Sequence, residues 1–259
     1  MKRYDGQIAV VTGASSGIGR RVSLDLAERG ATVVGIARRE ALLRELATEL
    51  QRTSSHHDTI VCDVAETYGL RRRLAQLEER YGRIDVLINN AGVYASSPAG
   101  QTADEVYTGV MATNFFGPVA ATEAVLPGML ARASGIIVNV SSDSARAPEA
   151  REGAYAASKA ALSAFSECVA NEVRPGGVHV HVLYPAWVPT AMGLGDGTGT
   201  MPPKMVRRTE AQVSNLLLER AGERAVDINA SRLPVLAVIG RAAMPGLYAR
   251  AMQKYGARA

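Results

Sequence analysis

Cysteine is scarce. Cys62 and Cys168 are the only two in 259 residues. They are too few and too far apart for the disulfide framework of a secreted domain, so both read as buried, reduced thiols of a cytoplasmic protein. No stretch approaches the roughly 20 uninterrupted apolar residues of a membrane span. The opening MKRYDGQIAVVTG lacks an apolar core with a cleavage site and does not read as a signal peptide. Low-complexity tracts, internal repeats and long charge blocks are also missing, which argues against disorder. The basic excess is small, 29 Lys and Arg against 25 Asp and Glu. Arg71–Arg73 and Arg207–Arg208 read as solvated helix faces, so nucleic acid is not an expected partner. The pairs His56–His57 and His179–His181 have no second ligand set nearby, and a catalytic metal needs about three protein ligands; no metal site is expected.

Apolar residues make up 47% of the chain, enough for a sizeable core. They fall into an alternating pattern. Short apolar runs at 7–11, 32–37, 59–64, 84–92, 135–142 and 178–183 read as strands buried on both faces. Helical periodicity separates them: Ile18, Val22 and Leu26, then EALLRELATEL, then Leu70, Leu74, Leu77 and Tyr81. A long helical region follows, with expected breaks at Gly117-Pro118 and Pro127-Gly128, and later an alanine-rich helix over 153–173. This alternation predicts one α/β domain, a doubly wound parallel sheet with helices on both faces. Beyond the sixth strand, the Gly- and Pro-rich segment 193–204 reads as a lid or binding loop within a substrate segment near 191–212. A helix near 210–222 and an edge strand at 224–228 come next. The apolar C-terminal segment 229–259 reads as a core or subunit-interface helix in preference to a membrane-surface contact.

The first strand runs into TGASSGIG at 12–19. Glycines there permit positive φ and close backbone approach, while a helix N-terminus offers free N–H groups to a pyrophosphate. Gly13, Ser15, Ser16, Gly17, Ile18 and Gly19 are therefore cofactor-binding candidates. A tight packing turn is the plainer alternative. An NAD-binding chain of this type carries an acid about 20 residues past the glycines; here Arg38 and Arg39 stand at the strand end. Guanidinium forks suit a 2′-phosphate, which favours NADP(H) over NAD(H), against the alternative of a solvated pair beside Glu40. Asp63, with Val64, can meet the adenine or can cap the next helix.

Tyr155 and Lys159 are four residues apart on one predicted helix and share a face. An ammonium beside a phenol is expected to lower its pKa towards the range of general acid–base catalysis. Ser142 sits at the carboxyl end of its strand, the edge at which open α/β sheets bind ligands.

In order, TGASSGIG, NNAG at 89–92, Asn114, Ser142 and YAASK at 155–159 resemble the motifs of the short-chain dehydrogenases/reductases. The resemblance covers roughly residues 6–190 and, more weakly, 210–228. It implies a Rossmann fold and an oxidoreductase that interconverts a carbonyl and an alcohol. Tyr155 would protonate the carbonyl oxygen, and Lys159 would lower its pKa and bind the nicotinamide ribose. Ser142 would orient the substrate, and Asn114 would hold a water in a proton relay. Ser141 is the neighbouring candidate; Ser142 is preferred for its spacing from Tyr155. Asn90, Ala91 and Gly92 would line the adenosine side. Pro185, Val188 and Thr190 of YPAWVPT would cover the nicotinamide, with Ala186 in place of the family's usual glycine. The resemblance also implies a homodimer or homotetramer, built through helices near 101–131 and 153–174.

Met192, Leu194, Met201 and Met205 suggest an adaptable apolar lid, with Tyr94 and Trp187 as further walls, and a bulky or lipophilic substrate. Arg146 and Arg151 are candidates to meet an acidic group. A nucleotide-sugar isomerase or dehydratase would need a larger substrate domain than this chain supplies. A non-catalytic NADP-binding regulator is the alternative of a different class.

Overall fold

The computed structural model describes residues 3–54, 56–194, 202 and 204–256, with no side chains described beyond 253. Seven strands form one parallel sheet in the order β3-β2-β1-β4-β5-β6-β7. They are β1 (Ile8–Thr12), β2 (Thr32–Ala37), β3 (Asp58–Val61), β4 (Val86–Asn89), β5 (Gly135–Val140), β6 (Val178–Tyr184) and β7 (Asp227–Asn229). The helices are α1 (Gly17–Glu28), α2 (Glu40–Leu50), α3 (Thr67–Tyr81), α4 (Asp104–Met111), α5 (Gly117–Ala131), α6 (Gly153–Val173), α7 (Ala191–Leu194), α8 (Glu210–Arg220), α9 (Leu233–Ala243) and α10 (Pro245–Gly256).

The continuous apolar strands follow from burial on both faces. In β1, Ala9 and Val11 pack with Leu26 of α1 and Leu217 of α8. Val10, between them, packs into the opposite layer with Leu74 of α3 and Val125 of α5. The period of two in the strand thus feeds two cores, one per face. Because β1 lies between β2 and β4, the connections leaving its two neighbours run to opposite sides of the sheet. The carboxyl ends of β1 and β4 thus form the switch point, the place at which open α/β sheets bind ligands.

Several expectations are corrected. The third strand stops at Val61 rather than Val64. Asp63 Oδ1 accepts from the Ala65 amide at 3.0 Å, and this local turn carries the chain away from the sheet. Asp63 therefore does not cap α3, whose N-cap is Glu66. The expected break at Pro127-Gly128 is absent: α5 runs through it. Val125 and Met129 are buried on either side of the proline, and a 3.0 Å Arg132–Glu78 ion pair ties α5 to α3 beside Gly128. Tertiary packing overrides the missing N–H. The break expected near Gly117 takes the form of a π turn at Ala112–Phe116, directly before α5.

Neither thiol is buried as expected. Cys168 is exposed and Cys62 half-buried. Cys168 lies on the outer side of α6, whose inner side is taken by Val169, Ala170 and Val173. Nor does the apolar tail enter the core: α9 and α10 pack on each other, with Leu236, Ile239 and Leu247 exposed. No helix among the described residues is long and apolar enough to cross a membrane.

Candidate active site

The glycine turn is shaped by its neighbours. Gly13 and Gly17 have φ of +66° and +55°. A Cβ on Gly13 would lie 2.8 Å from the Ala91 Cα, and one on Gly17 would lie 2.9 Å from Thr190 Cγ2. On Gly19 it would run into Asn90 Nδ2 and the Gly13 carbonyl. Only glycine fits at these positions. Asn90 donates to the Thr12 and Gly13 carbonyls at 3.1 and 3.3 Å. The Asn90 and Ala91 amides both donate to Thr12 Oγ1, each at 3.1 Å. NNAG thus locks the end of β4 to the end of β1.

Helix α1 begins at Gly17 with no side-chain cap at Ser16 and no acid in its first turn. Its N–H groups are not occupied by a side chain, as anion binding requires. Ser16 Oγ instead accepts from Arg39 at 2.6 Å, and Ser15 Oγ from the same nitrogen at 3.1 Å. Arg38 pairs with Asp63 at 3.3 Å. Arg39 has no carboxylate partner among the described residues, so an uncompensated guanidinium overhangs the glycine turn. Val64 is buried, with its carbonyl against Gly117.

Tyr155 and Lys159 lie on the buried side of α6. Lys159 Nζ is 6.0 Å from the Tyr155 ring centroid and donates to the Val140 carbonyl at 2.7 Å. Burial pulls its pKa down to about 8. The expected lowering of the phenol pKa is not found. Burial raises the Tyr155 pKa above 10.0, the Ser142 hydroxyl opposes this, and the Glu152 and Asp143 charges add to it. Lys159 directs its ammonium at the β5 end, so it does not offset the desolvation of the phenol. Asp143 is itself pushed up to about 6 by burial, against the pull of Arg146.

The two serine candidates separate cleanly. Ser141 is buried, donating to the Lys159 carbonyl at 3.1 Å and bonded to Ser163 at 2.8 Å. Ser142 faces the phenol and accepts from the Ser144 amide at 3.1 Å. Asn114 sits in the π turn, fully buried. Its Oδ1 accepts from the Val93 amide at 2.8 Å, and Nδ2 donates to the Val93 carbonyl at 2.9 Å and Ser158 Oγ at 3.0 Å. The side chain has both its donors engaged, so it is a clamp between α4–α5, the β4 loop and α6; a relay water would have to meet its main chain. Gly92 lies where these parts meet: a Cβ there would be 3.3 Å from Asn114 Oδ1, 3.5 Å from Lys159 Nζ and 3.9 Å from Met192 Cε.

A carboxylate that sequence reasoning did not single out joins the two loops. Glu152 accepts from Tyr94 at 2.9 Å with one oxygen and from Ser144 at 2.7 Å with the other. Tyr94 meets Tyr155 edge-on, with ring centroids 5.1 Å apart. Burial and the Glu152 charge push the Tyr94 phenol up to about 12. No spacing in the sequence joins residues 94, 144 and 152; only the fold does.

At the β6 end, Pro185 leads into Ala186, which has a φ of +61°. The alanine adopts the left-handed conformation that favours glycine. Val188 is buried, and its carbonyl accepts from the Thr190 amide at 2.7 Å. Trp187 pairs through its main chain with Val206 and Arg208, and its Nε1 donates to the Gly193 carbonyl at 3.1 Å. It therefore ties together both ends of the substrate segment. Met192, Leu194 and Met205 are exposed at its margins; Met201 and the middle of the loop lie outside the described residues. Arg146 does not face the site: it stacks 3.4 Å over Tyr184 and bonds Asp227 and Asn229. Arg151 is exposed, with φ +70°. His57 accepts from the Val33 amide at 3.0 Å. His181 uses both ring nitrogens on main-chain atoms, at 2.8 and 2.9 Å.

The profile described as short chain dehydrogenase matches residues 7–197, about three quarters of the chain. The chain belongs to the short-chain dehydrogenase/reductase family. It is 34% identical to Dehydrogenase/reductase SDR family member 7B of Bos taurus, over 95% of this chain and 80% of that protein. The same protein of Danio rerio is 35% identical, with coverages of 95% and 84%. Among solved structures, a short-chain dehydrogenase from Streptomyces avermitilis superposes with a TM-score of 0.81 at 27% identity, covering 97% of each chain. A single-substitution variant of actinorhodin polyketide ketoreductase with NADPH gives 0.80 at 29% identity, covering 89% of this chain and 98% of that one. L-sorbose reductase from Gluconobacter frateurii, complexed with NADPH and L-sorbose, gives 0.80 at 26%, with coverages of 89% and 97%. The family's oxidoreductase frame therefore spans the sheet, the glycine turn and α6.

Proposed function

We propose that the chain is an NADP(H)-dependent oxidoreductase that interconverts a ketone or aldehyde and an alcohol, with Tyr155 as its general acid and base. The observation that carries this reading is three features gathered at the carboxyl edge of one parallel sheet: an uncapped helix N-terminus, an Arg39 without a carboxylate partner among the described residues, and the Ser142–Tyr155–Lys159 group. Gly13, Ser15, Ser16, Gly17, Ile18 and Gly19 would hold the pyrophosphate, Arg38 and Arg39 a 2′-phosphate, and Asp63, Val64 and Asn90–Gly92 the adenosine side. Pro185, Val188 and Thr190 would meet the nicotinamide end. Bound there, the nicotinamide supplies or accepts the hydride.

In the reducing direction, Tyr155 Oη gives its proton to the substrate oxygen while the Ser142 hydroxyl holds that oxygen in place. A raised phenol pKa keeps this proton in place at neutral pH. Lys159, its ammonium held at the Val140 carbonyl, would meet the nicotinamide ribose. The NADPH in the ketoreductase and sorbose reductase structures supports this cofactor and this direction. The exposed Met192, Leu194 and Met205 favour a bulky or lipophilic substrate. Assembly as a homodimer or homotetramer belongs to the same reading.

NADPH and NADH consumption across a panel of ketones and aldehydes tests it. Tyr155→Phe should lower kcat by about 10²–10⁴ and leave NADPH binding intact. Arg38→Ala with Arg39→Ala should cut kcat/KM for NADPH by roughly 10–100-fold and leave NADH nearly unchanged. NADPH binding without turnover of any carbonyl or alcohol would favour the regulator instead.

A further inference from the structure

Six of the fourteen large apolar side chains exposed among the described residues fall within Leu233–Leu247. Leu236, Ile239 and Leu247 are 59, 58 and 61% exposed, and Met244 55%. Leu233, Leu236, Ile239 and Ala243 recur at three- and four-residue spacing and share one face of α9. Pro234 anchors the start of this helix in the body, after the buried Ala230 and Ser231. Beyond that anchor, α9 packs on α10, and the apolar face has no partner among the described residues.

The charge on this segment has one sign. From Asn229 to Ala259 there are five basic residues, Arg232, Arg241, Arg250, Lys254 and Arg258, and no Asp or Glu. An all-basic segment is unsuited to pairing with the same segment of a second copy, because like charges would be brought together. Apolar side chains set among cations suit a surface that is apolar below and anionic above. The helices are too short to cross a bilayer but long enough to lie along one.

We propose that the α9–α10 pair is a docking surface for an anionic lipid bilayer, which it binds in the plane of the headgroups. The surface lies in the segment that follows β7, and docking through it would hold the body at the bilayer. The test is flotation of the full-length chain with phosphatidylcholine vesicles, with and without phosphatidylglycerol. Binding is expected only with phosphatidylglycerol, weakening as salt rises. Leu236→Asp with Ile239→Asp should weaken the partition about tenfold or more, and Arg241→Glu with Arg250→Glu should do likewise, each with an unchanged circular dichroism spectrum. Both variants change exposed residues, so loss of binding with an unchanged spectrum is distinguishable from loss of fold. Equal flotation of wild type and both variants, or no flotation on phosphatidylglycerol, would overturn the proposal. So would Asp variants that convert an oligomer to a monomer while the wild type ignores lipid, since the face would then belong to a second copy.

Discussion

Lys159 illustrates how a residue proposed for the site can act at the expense of the fold. Its ammonium is fully buried, and its pKa falls from 10.5 to about 8. The folded state therefore resists the charged form. At neutral pH this costs about 3 kcal/mol, and the cost fades as pH rises from about 8 towards 10.5, where the unfolded chain loses the same proton. Lys159→Met removes the cost but also the donor to the Val140 carbonyl, a loss of about 1–2 kcal/mol. The expected outcome is an inactive protein that is more stable by about 1–2 kcal/mol at pH 7, with the gain reversed to a loss of about 1 kcal/mol near pH 10.5. Urea unfolding of both proteins at the two pH values checks this. A variant that is less stable at pH 7 would show that the ammonium is better solvated than its burial implies. The Tyr155–Lys159 spacing was legible in the sequence, but the direction of the Tyr155 shift was not. Spacing places two side chains on one face, whereas the pKa depends on burial and on Ser142, Asp143 and Glu152 from other parts of the chain.

Among the elements, the π turn at Ala112–Phe116 is the one most closely tied to the site. Its wide turn places Asn114 where one amide meets both Val93 and Ser158. Ser158 in turn donates to the Tyr155 carbonyl at 2.7 Å, so the clamp reaches the backbone of the proposed acid. Asn114→Ala leaves the amide and carbonyl of the half-buried Val93 without this partner. A loss of about 2–4 kcal/mol is expected, read as a lower thermal midpoint, together with a fall in kcat larger than any change in cofactor affinity. Unchanged stability would show that water replaces the clamp. The break itself could be anticipated from Gly117-Pro118. Its π form could not, because it depends on the contact of Asn114 with the β4 loop. The break wrongly expected at Pro127 has the same lesson: Val125, Met129 and the Arg132–Glu78 pair hold the helix together across the proline.

For the whole molecule, His181 links stability to pH through two elements at once. It lies on β6, 1% exposed. It takes the Gly222 N–H on Nε2 at 2.9 Å and gives its Nδ1–H to the Ala225 carbonyl at 2.8 Å, fastening the α8–β7 turn to the sheet. Only the neutral ring can do both. Burial is the main cause that lowers its pKa below 6.5. The contribution is therefore complete above about pH 6.5 and is lost as pH falls towards the folded value. Asp143, raised to about 6, acts in the opposite sense over an overlapping range. His181→Gln should accordingly flatten the loss of urea stability as pH falls from about 7.5 to 5.5, relative to wild type. Equal slopes in the two proteins would remove His181 from the pH response.

The α/β alternation, the glycine turn, the paired arginines and the Tyr155–Lys159 face were all legible in the chain before any fold was known. Each is a local pattern, set by backbone geometry over a few residues. Packing in three dimensions was needed to establish that Glu152 joins Tyr94 to Ser144, that Arg146 belongs to β7 instead of the site, and that α9 and α10 lie outside the core. Those outcomes depend on which distant segments the sheet order brings together. They also depend on whether an apolar face finds a buried partner, which the hydrophobicity of that face alone does not specify.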